Sequence, residues 1–156
     1  MSGSGVYINE AVLARLIEKA INMEETNVNT LLKLFMTEDE EGGRKILYNL
    51  LRDAECHKSR LIECLKVLKG GRVPEPSDHG KYNFEEMFYA EKAAILRKVK
   101  VVLRDYYRYL LEDVKRAEVE GSIEKGIADK VIPCLEFLSK EKDRHLKLIE
   151  EVWKAY

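Results

Sequence analysis

Glutamine is absent from the 156 residues, and prolines (3), glycines (9) and tryptophan (1) are scarce. So few breakers disfavour a turn-rich β fold or a low-complexity chain. No apolar run approaches the roughly 20 residues of a membrane span, and Met1–Gly5 leads into no signal-like apolar core. The formal net charge is -1. Bulk electrostatics therefore gives no reason to expect nucleic acid or an anionic membrane as partner. The chain reads as cytoplasmic. Cys56, Cys64 and Cys134 are an odd set without a Cys-x-x-Cys pair, which suits reduced, partly buried thiols. The missing glutamine beside abundant Lys and Glu is a bias reported for heat-adapted proteins, so a thermophilic source is expected.

What is present suits one compact all-α domain over 1–156. The composition is 46% hydrophobic and 35% charged, and a fold of this size buries roughly 70% of its extended-chain surface. Apolar residues recur at helical spacing in four stretches, near 9–38, 44–69, 83–119 and 122–154. Asn9 is a good N-cap for the first. Gly42-Gly43 is expected to turn into the second and Gly70-Gly71 to stop it. The segment 70–82, with Pro74, Pro76 and His79, is the only long connection and reads as a crossover. His79 is expected to be a solvated loop residue. Pro133 suits either a new first turn after a short helix capped by Ser122 or a kink in a continuous helix.

Two stretches echo one another and hold two of the three histidines. Leu50-Leu51-Arg52-Asp53-Ala54-Glu55-Cys56-His57 and Leu138-Ser139-Lys140-Glu141-Lys142-Asp143-Arg144-His145 each place an acid four and two residues before the histidine. Four residues is one helical turn, so Asp53 is expected beside His57 and Glu141 beside His145. Both histidines fall on the apolar stripe of their helix, as Glu24 does on the first. The third helix has two apolar lines. One runs through Ile95, Val99, Val102, Tyr106 and Leu110 and includes Glu91; the other runs through Leu96, Lys100, Leu103, Tyr107 and Leu111. Arg97, Lys98, Arg104, Arg108, Lys115 and Arg116 make this helix locally basic, but interleaved acids favour a solvated or partner-facing side over a nucleic-acid surface.

This half-repeat resembles the ferritin-like superfamily, in its rubrerythrin branch. The resemblance rests on Ala20-Ile21-Asn22-Met23-Glu24 and the two histidine segments, and spans roughly 10–153. It implies an antiparallel four-helix bundle with a long crossover between helices 2 and 3, and a core site for two irons. The family places a glutamate on helices 1 and 3 and a Glu-x-x-His on helices 2 and 4. Here Ala54 and Lys142 stand three before the histidines, and the third-helix position falls on Lys100 or, in another register, on Glu91. Only Glu24, His57 and His145 match. Two irons need several carboxylates, so a dinuclear centre is disfavoured. Two expectations follow. In one, Glu24 pairs with Lys142 or Lys100, no metal is held, and the bundle is a structural or interaction module, with a homodimer as the expected assembly. In the other, Glu24, Asp53, His57, Glu141, His145 and Glu91 supply ligands for one Fe, Mn or Zn ion in an oxidoreductase or iron-handling protein.

Overall fold

The computed structural model describes residues 7–75, 87 and 89–152. They form four helices: α1 (Glu10–Thr37), α2 (Glu41–Lys66), α3 (Tyr89–Glu120) and α4 (Lys125–Val152). α1 packs on α2 and α3, and α4 packs on α3 and α2, so the four enclose one core. The expected start of the third helix at 83, most of the crossover and His79 lie outside the described residues.

The helix ends follow local chemistry. Asn9 caps α1, its Oδ1 accepting from the Val12 amide at 2.9 Å. At the other end the Arg44 guanidinium donates to the Phe35 and Glu38 carbonyls at 2.9 and 3.1 Å, satisfying carbonyls that the helix leaves open. The turn into α2 is made by 38–40, and Gly42-Gly43 fall inside the helix, contrary to expectation. The buried Glu38 side chain explains the shift. It accepts from the Glu40 amide at 3.1 Å and lies over Gly43, where a Cβ would come within 3.1 Å of it. α3 ends on Gly121 (φ 79°), and the Ser122 amide bonds back to the Ala117 carbonyl at 2.9 Å. Ser122 does not cap a short helix; its hydroxyl donates to the Ile8 carbonyl at 2.7 Å. α4 runs through Pro133 without a break. Pro133 is exposed, so water can take the backbone bond its ring removes.

The core has two apolar clusters. One gathers Leu13, Ile17, Leu61, Leu65, Leu103, Leu110, Leu135 and Leu138; the other gathers Val28, Leu31, Leu34, Leu47, Leu50, Leu96 and Ile149. Along each helix they are separated by fully buried polar residues: Glu24 and Asn27 on α1, His57 on α2, Lys100 on α3, Lys142 and His145 on α4. Leu13, Ile17 and Leu31 on α1, Leu47, Leu50 and Leu61 on α2, and Val131, Leu135, Leu138 and Ile149 on α4 are buried as their helical spacing predicts, whereas Leu32 on α1 is exposed. On α3 the line through Leu96, Lys100, Leu103 and Tyr107 faces the core, while Val102 on the other line is half exposed.

Candidate functional site: a buried lysine, glutamate and histidine layer

Seven side chains from four helices meet in this layer. The Lys142 ammonium donates to Glu24 Oε1 at 2.9 Å and lies 3.1 Å from His57 Nδ1. The Tyr107 hydroxyl donates to Glu24 Oε2 at 2.5 Å, and Asn27 Nδ2 donates to Oε1 at 3.3 Å. Lys100 Nζ lies 3.0 Å from His145 Nδ1. The two imidazoles stack, with centroids 5.2 Å apart. Asn27 Oδ1 is buried and has no hydrogen-bond partner among the described residues.

The outer side of the layer is carboxylate and guanidinium. His57 Nε2 faces Glu141 Oε1 at 3.4 Å, and His145 Nε2 faces Asp53 Oδ2 at 3.2 Å. Arg144 ties both acids together, reaching Asp53 Oδ2 and Glu141 Oε2 at 2.6 Å each. The expected pairing is thus crossed. Each acid serves the histidine of the facing helix, because an inward imidazole carries its Nε2 away from its own backbone and across the α2–α4 interface.

Charge settles as this geometry requires. Burial alone would raise the Glu24 carboxyl, but Lys142, Lys100, His57 and the Tyr107 hydrogen bond together hold it below its ordinary range. Burial and the Lys142 charge depress His57 to about 4. His145 is depressed by burial, then by Lys100 and Lys142. Lys100 is pushed well below the usual lysine range by burial and by Lys142, so its amine tends to neutrality. Burial and the Glu24 charge raise Tyr107, keeping its proton in place for that carboxylate.

Hydrogen-bond direction then assigns the His57 tautomer. An ammonium offers only protons, so His57 Nδ1 accepts from Lys142 and Nε2 carries the hydrogen, aimed at Glu141. The layer is an internally compensated polar network.

Two irons do not fit these residues. The layer's inner side offers one carboxylate, Glu24, beside two buried lysines, Lys100 and Lys142, and Lys142 already holds Glu24. One ion has a better footing. One ligand atom each from His57, Glu141 and His145 lie within 4.8 Å of one another. Of the residues proposed from sequence, Glu24, Asp53, His57, Glu141 and His145 are brought into or against the layer. Glu91 is exposed in the first turn of α3, nine residues before Lys100, and does not join them. Sequence reasoning did not single out Arg144 or Asn27. Each had a faint signal: Arg144 stands three after Glu141, and Asn27 three after Glu24.

No helix among the described residues is long and apolar enough to cross a membrane. Comparisons with protein-family models, curated proteins and solved structures found no match.

Proposed function

We propose that the chain is an antiparallel, ferritin-like bundle in which a lysine-based ion network stands where such bundles hold metal, and that it serves as a structural or interaction module. The observation that carries this is the 2.9 Å contact between Lys142 Nζ and Glu24 Oε1, both fully buried. A lysine amine fills the coordination space of the one matching carboxylate with a fixed positive charge. The fold part is supported by the short connections 38–40 and 121–124, which make hairpins of α1–α2 and α3–α4.

A second reading has a specific observation behind it: His57, Glu141 and His145 form a potential ligand group at the outer side of the layer. Two imidazoles and a carboxylate suit a single Zn, Mn or Fe ion. Arg144 and the proton on His57 Nε2 oppose it, since a ligating nitrogen must present its lone pair.

Elemental analysis of protein purified without chelator decides between them, followed by uptake assays with Fe(II), Mn(II) and Zn(II). The network reading expects substoichiometric metal and no saturable uptake. Stoichiometric metal that is lost in both His57→Ala and His145→Ala would replace it with the second reading.

A further inference from the structure

Away from this layer, a cleft of about 370 Å³ opens between α2 and α4, and two of the three cysteines line it. Cys64 comes from α2 and is buried; Cys134 comes from α4 and is partly exposed. They are 70 positions apart in sequence (64 and 134), yet both line this one cleft, where the Cys64 thiol lies 3.9 Å from the Lys130 carbonyl. Arg60 lines the same cleft and is held there with its guanidinium 4.0 Å from the centroid of the Phe137 ring.

We propose that Cys134 and Cys64 form a peroxide-reactive dithiol, Cys134 being the nucleophile and Cys64 the resolving thiol. Three features divide the roles. Cys134 is partly exposed and is the sulfur that an incoming molecule meets, while Cys64 is buried in the wall of the same cleft. The guanidinium of Arg60 favours the anion on Cys134. Cys64 and Arg60 act together to hold the Cys134 thiol below its ordinary range despite burial, whereas Cys134 and burial push Cys64 up.

The chemistry balances with a hydroperoxide as oxidant. The Cys134 thiolate attacks the distal peroxide oxygen, the O–O bond breaks, and the leaving alkoxide takes a proton to become the alcohol (or water, from hydrogen peroxide). Cys134 is then a sulfenic acid. The Cys64 sulfur attacks Cys134 Sγ, expelling the hydroxyl, which leaves as water with the Cys64 proton. The dithiol has lost two electrons, the peroxide has gained them, and a disulfide joins α2 to α4.

The test uses the full chain and hydrogen peroxide, read by intact mass and by differential alkylation. The expected product is an intramolecular disulfide, with a mass loss of two hydrogens, Cys56 still alkylatable and full reversal by dithiothreitol. In Cys64→Ser and Cys64→Ala the sulfenic acid is expected to persist on Cys134 and be trapped by dimedone. Cys134→Ser should leave Cys64 unmodified. Cys56→Ser, at an exposed position away from the cleft, should react as the wild type does. Consumption of Cys134 is expected to be roughly tenfold faster than that of exposed Cys56. Oxidation of Cys56 ahead of an untouched Cys134, or no dimedone adduct on Cys134 in either folded Cys64 variant, overturns the proposal.

Discussion

His57 and His145 are held almost identically, and the small difference between them organises the core. Each turns Nδ1 to a lysine amine and Nε2 to a carboxylate of the facing helix. The likeness ends at the lysines. Lys142 has the Glu24 carboxylate at 2.9 Å, whereas Lys100 has no carboxylate within hydrogen-bonding distance among the described residues. One half of the layer is therefore an ion pair, and the other is a buried amine driven toward neutrality. A low-dielectric core penalises the charge of a second lysine that lacks a carboxylate partner.

The sharpest way to break this comparison is Lys142→Met. It leaves the Glu24 carboxylate buried without its cation, so stability should fall by about 3–5 kcal/mol in urea titration at neutral pH. The double variant Glu24→Leu/Lys142→Met should recover most of the loss, because apolar replacements of a whole buried pair are often tolerated. A double variant as unstable as the single would mean that packing, not the unpaired charge, sets the effect.

Acid comes next. His57 takes up a proton only near pH 4 in the fold but near 6.5 when unfolded. Between those values the unfolded chain binds more protons, so stability rises with pH across the window. Its contribution is complete above about 6.5 and is lost on acidification toward 4, a change of about 3 kcal/mol for this histidine alone. His145 and Glu24 are depressed too, and act in the same direction. Chemical denaturation from pH 7 to pH 4 should show this slope, and His57→Phe should flatten it.

Tyr107→Phe removes one donor from Glu24 and little volume. A hydrogen bond to a charged group is worth about 1.5–3 kcal/mol, so a loss in that range is expected in the same urea assay. An unchanged midpoint would show that Lys142 and Asn27 satisfy the carboxylate by themselves.

How much of this was legible depended on which physical signal each residue carries. Glu24, His57 and His145 were placed correctly on core-facing stripes because helical period reports the face directly. Period could not choose the register of α3. Both of its lines are apolar, and the choice came from the groups facing it: Tyr107 reaches Glu24, and Lys100 reaches His145. Nor could one helix disclose that Asp53 serves His145 and Glu141 serves His57, since that pairing belongs to the α2–α4 interface. Gly42-Gly43 misled for a local reason. Glycine permits a turn without requiring one, and here the buried Glu38 side chain packs where the second glycine has no Cβ.

Lys100→Met tests the other half of the comparison, and its expected effect is the smallest. The substitution takes the hydrogen-bonding amine from His145 Nδ1, at a cost of roughly 1 kcal/mol. It also removes a polar head that burial already penalises, so the net change should stay within about 1 kcal/mol of wild type. Its clearer mark is on the alkaline side. Unfolded, Lys100 keeps its proton up to the ordinary lysine value of 10.5; folded, it gives the proton up well below that. The unfolded state therefore binds more protons over that interval, and wild-type stability gains from this residue as pH rises toward 10.5. In Lys100→Met that gain should vanish, while the acid-side slope from His57 stays. A destabilisation as large as that of Lys142→Met, with the alkaline gain intact, would mean that Lys100 is a second buried ammonium and that the two halves of the layer are alike after all.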